Sequence, residues 1–181
     1  MQIPFGLRQI EETYQRHGSR AYFGERVSQL EHALQAGWLA LQEGASDALV
    51  TAALLHDIGH LVTDLAGSPT MEGIDDRHQF KALPVLADFP DSVLEPIRLH
   101  VEAKRFLCRS SYIETLSSDS QRSLALQGGP PDPDAAHAFA LDPYSAQAIS
   151  LRLWDDRAKI RGLATPDLSH FLAIAARVLR R

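Results

Sequence analysis

The chain has 181 residues, 45% hydrophobic and 23% charged, the composition of an ordinary globular domain with a sizeable core. A net charge of −5 and a pI of about 5.9 argue against a general nucleic-acid or anionic-membrane surface, though not against a small anionic substrate in a basic pocket. Cys108 is the only cysteine, so no intrachain disulfide forms, and metal ligands must come mostly from His, Asp and Glu. No apolar run approaches the roughly 20 residues that span a bilayer, and the first residues show no signal-peptide core; a cytoplasmic protein is expected.

In chain order, Phe5 to His17 reads as a short helix with Phe5, Leu7, Ile10 and Tyr14 as apolar contacts, and Gly18 ends it. Ser19 to Gly24 is a loop carrying Tyr22. Glu25 to Glu43 is a strongly amphipathic helix: Val27, Leu30, Ala33, Leu34, Trp38 and Leu41 recur at helical spacing, and His32 lies on it. Gly44 closes it. Ser46 caps the next helix, which runs through Leu54 and Leu55. The stretch from Thr63 to Asp76, with Gly67, Pro69 and Gly73, reads as a loop. A helix from near Asp76 to Phe89-Pro90 carries His78, and another, capped by Asp91 or Ser92, carries His100 and Lys104, with Pro96 near its first turn. A helix over Ser118 to Leu126 follows, then an irregular Gly128 to Pro133. Asp142 or Tyr144 begins a long helix through Arg161, and the last helix starts with Pro166 at its first position. No segment alternates with period two. The expected fold is all-α: a compact helical bundle, with residues 1–181 as one domain.

The centre of the sequence is Leu54-Leu55-His56-Asp57-Ile58-Gly59-His60-Leu61. Adjacent helical residues point about 100° apart, so His56 and Asp57 reach one ion only near a helix end or across a shared pocket. Gly59 marks where the helix loosens or stops. Imidazole with carboxylate suits iron, manganese or zinc. Of the eight histidines, His17, His137 and His170 lie in polar or terminal contexts and read as surface residues. His32, His56, His60, His78 and His100, with Asp57 and a carboxylate from Asp155-Asp156, form a ligand inventory larger than one tetrahedral site needs. It is enough for two ions, roughly 3.5–4 Å apart, with Asp57 bridging.

The pattern His32, His56-Asp57 and Asp155 resembles the HD-domain superfamily, and His78 and His100 bring it nearer the dinuclear members. Tyr22-Phe23-Gly24-Glu25-Arg26-Val27-Ser28-Gln29 ahead of His32, His60 after the His-Asp pair, Lys104 four residues after His100, Ser123-Leu124-Ala125-Leu126-Gln127-Gly128-Gly129 and Leu153-Trp154-Asp155-Asp156-Arg157-Ala158-Lys159 sharpen it. Together they resemble the phosphonate-degrading HD-domain oxygenases of the PhnZ type, relatives of myo-inositol oxygenase, from about Tyr22 to Lys159. The resemblance implies two iron ions, a mixed-valent Fe(II)/Fe(III) pair, with O2 as co-substrate and an organophosphonate as substrate. It implies His32, His56, Asp57 and Asp155 on one iron, and Asp57, His78 and His100 on the other. Asp155 is preferred to Asp156 because it stands four residues before Lys159, the spacing of the inositol oxygenase relatives; Asp156 stays the alternative. It also implies that Tyr22 occupies an iron until substrate arrives and that Glu25 recognises the substrate's amino end.

Cleaving a C–P bond next to a hydroxyl requires oxidation of that carbon, which an O2-using iron pair can supply. A phosphonate also requires cations. Lys104 lies one turn from His100, and Arg152, three residues before Asp155, suits bidentate guanidinium–phosphonate contact. His60 is expected as a supporting or substrate contact, and Ser123 as a phosphonate contact. The expected reaction converts a 1-hydroxy-2-aminoethylphosphonate, with a primary or N-methylated amine, to phosphate and an amino acid such as glycine. Two other readings compete: a metal-dependent phosphohydrolase acting on nucleotides or phosphomonoesters, and a non-catalytic ligand-binding module. Tyr22, Glu25 and Lys104 favour the oxygenase.

Overall fold

The computed structural model describes residues 5–22, 24–62 and 69–180. Phe23, the 63–68 part of the expected loop and the side chain of Phe5 lie outside the described residues. The α-helices are α1 (Phe5–His17), α2 (Gln29–Gln42), α3 (Asp47–Leu55), α4 (Ile58–Leu61), α5 (His78–Lys81), α6 (Asp91–Leu107), α7 (Ser118–Leu126), α8 (Pro133–Leu141), α9 (Ser145–Arg157) and α10 (Leu168–Val178). The fold is all-α, as expected: among the described residues the one β-type contact is an isolated bridge between Ala21 and Ser28.

The middle of the molecule is α3. Every residue from Val50 to Leu55 is buried, so this stretch is covered all round rather than along one stripe. It packs against α2, α6, α9 and α10. Its neighbours contribute Ile97, Leu151 and Phe171, all at 1% exposure or less, to one continuous core with Leu54, Leu55 and Ile58. Close approach matters at Gly37 on α2, where a β-carbon would stand 3.1 Å from the Phe171 ring. Among the described residues no helix is long and apolar enough to cross a membrane.

Several boundaries differ from expectation, each for a local reason. Helix α2 begins at Gln29, not Glu25, because Ser28 and Glu31 form a reciprocal capping box. Glu25 therefore precedes the helix, in a tight turn with Tyr22: the Glu25 amide donates to the Tyr22 carbonyl and the Tyr22 amide to that of Val27. Gly24 supplies that turn's positive φ of 74°. The expected helix from Asp76 to Phe89 is only the four residues of α5, followed by successive turns. Helix α6 starts at Asp91 with Pro90, not Asp91 or Ser92, at the cap. Helix α8 is an addition to the expected set; Asp132 caps it through the Ala135 amide, with Pro133 at the first position. Helix α9 ends at Arg157 rather than Arg161. Asp167, whose carboxylate accepts the His170 amide, caps α10, so Pro166 stands before the helix and not at its first position.

Candidate metal centre

Helix α3 ends at Leu55, and His56 and Asp57 occupy the junction with α4. At that break the two adjacent side chains converge on one space, as the 100° argument requires. Around the junction stand His32 from α2, His78 from α5, His100 from α6 and Asp155 from α9, all buried. Ligand atoms of His32, His56 and Asp155 lie within 4.8 Å of one another, as do those of Asp57, His60 and His78.

Two pairs of imidazoles face each other. His32 Nε2 is 3.3 Å from His56 Nε2, and His78 Nε2 is 3.0 Å from His100 Nε2. Asp57 lies between the pairs. Its Oδ2 is 3.6 Å from His32 Nε2 and 3.5 Å from His56 Nε2; its Oδ1 is 3.4 Å from His78 Nε2 and 3.7 Å from His100 Nε2. Asp155 Oδ1 joins the first pair, 3.5 Å from His32 Nε2 and 3.9 Å from His56 Nε2. Asp156 turns away and accepts from Tyr112 and Arg152.

The neutral tautomers follow from the other ring nitrogens. The Nδ1 atoms of His32, His56 and His100 lie 2.7 to 2.9 Å from the carbonyl oxygens of Ala158, Ala53 and Ile97. His78 Nδ1 lies 2.9 Å from a carboxylate oxygen of Asp76. These oxygens only accept, so each Nδ1 carries a proton, and in a ring without a second proton Nε2 is a bare lone pair. Burial holds His32 down at about 4. Burial also lowers His78, and it takes His100 well below the ordinary imidazole range, with the neighbouring His78 adding to the effect. His32, His78 and His100 are therefore neutral. Between His78 and His100 two bare lone pairs face each other at about hydrogen-bond distance with no proton between them. A cation in that gap resolves the repulsion, and the Nε2 atoms of His32 and His56 face each other across a similar gap. Asp57 is held well below the usual carboxylate range: burial opposes its charge, but in the acid range where its carboxylate would take a proton the imidazoles around it, His56 first, act as cations and outweigh burial. The donor set, nitrogen and carboxylate oxygen without sulfur, fits iron, manganese or zinc.

A cavity opens over the Asp57 side of this cluster, with Tyr22, Glu25, His60, Lys104 and Ser123 on its wall. The Tyr22 hydroxyl donates to Asp57 Oδ2 at 2.9 Å and lies 3.5 Å from Asp155 Oδ1, with its ring stacked on His32 at 3.9 Å. Glu25 is 3.5 Å from Lys159. Lys104 is 3% exposed and donates to Ser123 Oγ at 2.8 Å. Burial, with Arg152 nearby, lowers Lys104 to about 7. The structure thus brings every expected site residue to one place.

Arg152 lines the same cavity but already has partners. Its Nη1 donates to Asp155 Oδ2 at 2.6 Å, its Nη2 to Asp156, and its Nε to the Tyr112 hydroxyl at 3.1 Å. The fork expected to grip a phosphonate in bidentate fashion already holds two carboxylates, so its geometry is that of a brace for Asp155. Sequence reasoning missed Asp76 and Tyr112. Asp76 had one signal, its place two residues before His78; Tyr112 had none.

A helical scaffold that gathers a His, a His-Asp pair and a later Asp around one junction defines a class. The HD domain family model matches residues 29–147, and the chain belongs to that family. The chain is 43% identical over 164 residues to the hydroxymethylphosphonate dioxygenase of Gimesia maris, an alignment covering 88% of this chain and 81% of that protein. It is 37% identical over 170 residues to the glycine-betaine-forming 1-hydroxy-2-(trimethylamino)ethylphosphonate dioxygenase of Leisingera caerulea, covering 92% of this chain and 86% of that protein.

Proposed function

We propose that this chain is an iron-dependent oxygenase that uses O2 to cleave the C–P bond of a 1-hydroxyphosphonate, of the 1-hydroxy-2-aminoethylphosphonate type. The observation that carries the reading is the pair of facing imidazole pairs astride Asp57, beneath a cavity that holds a buried lysine. The two relatives whose names specify 1-hydroxyphosphonate substrates support it. In this reading residues 1–181 act as one HD domain. One phosphonate and one O2 become one carboxylic acid and one phosphate, which together contain the substrate's atoms plus two oxygens.

His32, His56, Asp57 and Asp155 would hold one iron, and Asp57, His78 and His100 the other. Bound as a mixed-valent Fe(II)/Fe(III) pair, they would supply the O2 chemistry, in which O2 takes the four electrons that the oxidised carbon loses. The protein's own groups bind and orient. Lys104 and Ser123 take the phosphonate oxygens. His60 meets the 1-hydroxyl. Glu25 faces the amine end, with Lys159 as its present partner. Tyr22 covers the carboxylates until substrate displaces it, and Arg152 keeps Asp155 aimed at the cluster.

The test is an aerobic assay with Fe(II) and 1-hydroxy-2-aminoethylphosphonate, following O2 uptake and phosphate release together, with EPR for a mixed-valent pair. Equal consumption of O2 and release of phosphate is expected. Phosphatase activity on phosphomonoesters by a zinc-loaded protein, without O2 uptake, would overturn the reading in favour of the hydrolase.

A further inference from the structure

We propose that Asp76 is a positioning residue that sets two histidines at once, aiming His78 at the metal and His60 at the substrate. The inference rests on the metal-binding reading above. Asp76 Oδ1 accepts from His78 Nδ1 at 2.9 Å and from the His78 backbone amide at 3.3 Å. Its other oxygen, Oδ2, is 2.6 Å from His60 Nδ1. The two rings stack at 4.0 Å with 26° between their planes, so one carboxylate spans the same edge of both.

An ionised carboxylate only accepts, so both Nδ1 atoms carry protons and both Nε2 atoms are presented on the far side. For His78 that side is the cluster, 3.4 Å from Asp57 Oδ1. For His60 it is the cavity wall, 3.9 Å from the same oxygen, and the side chain is 17% exposed. His60 Nε2 is thereby turned toward a hydroxyl bound beside the metal. His32, His56 and His100 direct Nδ1 to neutral backbone carbonyls, so among the four facing imidazoles only His78 has an anionic partner at Nδ1. Such a partner raises the basicity of the ligand nitrogen and fixes its ring.

The backbone is shaped for this placement. Arg77, between Asp76 and His78, has φ 52° and is the non-glycine residue with positive φ among the described residues. That conformation is strained in a residue with a β-carbon. It turns the chain so that Asp76 reaches back over His78, and strain of this kind persists where the surroundings over-determine it.

The experiment compares wild type with Asp76→Asn and Asp76→Glu, in the native and the His60→Ala background. Metal content is measured by mass spectrometry, anaerobic Fe(II) affinity by chelator competition, and kcat and KM on the phosphonate. An amide oxygen can serve one Nδ1–H, but the amide NH2 faces the other. Asp76→Asn is therefore expected to keep one metal at wild-type affinity and bind the second about 10–100-fold more weakly. Its KM is expected to rise in the native background but not when His60 is already Ala, while the metal loss is the same in both. Asp76→Glu keeps the charge but displaces it by a methylene, and should fail in the same two respects; it also serves if the Asn variant does not fold. Two metals at wild-type affinity with unchanged KM, equal loss of both metals, or full rescue by Glu would each overturn the proposal. A wild-type protein that binds no metal would instead remove the proposed function beneath it.

Discussion

A β-carbon on Gly59 would stand 2.0 Å from the carbonyl oxygen of His78. The backbone of α4 thus runs directly against the residue that opens α5, and only glycine fits there. Gly59→Ala must push α5 away and carry His78 with it. We expect a loss of about 1–3 kcal/mol in stability. Metal bound by the His78 and His100 pair should fall with it, while the His32 and His56 pair keeps its ion. Thermal melting and metal content together check this.

The Tyr14 hydroxyl donates to the carbonyl of Leu54 at 2.8 Å, in a buried setting. That carbonyl lies in the last turn of α3, where helix carbonyls lack helical partners. Tyr14→Phe leaves it unpaired, at a cost of about 1–3 kcal/mol. For a chain of this size Tm should drop by roughly 2–4 °C per kcal/mol. Metal content should not change, because Tyr14 anchors the helix behind the site.

With Lys104 lowered to about 7, its cationic fraction falls as pH rises through that value. In its proposed role the group binds a phosphonate dianion only when protonated. The kcat/KM profile, which reports the free enzyme, should therefore decline as pH rises past the Lys104 value. Lys104→Arg, always charged, should move that decline upward. Lys104→Ala should raise KM strongly and leave metal content intact.

Tyr22 shields Asp57 and Asp155, so Tyr22→Phe is expected to retain turnover but to inactivate faster in air without substrate. Glu25→Ala should weaken substrate binding and lose the preference for a cationic head over an uncharged analogue. Half-life in air and kcat/KM for both variants, beside wild type, are the measurements. Unchanged values in both would return the two residues to loop packing.

The helical architecture and the residues of the cluster were legible because each rests on local information. His32 sits on an amphipathic helix, and His56-Asp57 follows an apolar run. The elements missed or misplaced depend on caps and turns. Ser28 with Glu31 sets the start of α2, and Asp132-Pro133 that of α8; both are short signals beside a long apolar periodicity. The partners of Arg152 and Asp76 were not legible for a different reason. What a guanidinium or a carboxylate does depends on which partners already occupy it, and those partners come from elsewhere in the fold, as Tyr112 does for Arg152 and His60 for Asp76.

The six proposed ligand positions are spread from His32 on α2 to Asp155 on α9. In the unfolded chain these groups are far apart, so a metal ion that binds the assembled cluster binds the folded state alone. The ion then works as a removable cross-link between the early and late parts of the chain. By mass action, free metal at about a hundred times its dissociation constant adds about 2.7 kcal/mol to stability. The lifetime of the protein in a cell would then follow the supply of its metal, and scarcity would lower the amount of enzyme as well as its activity.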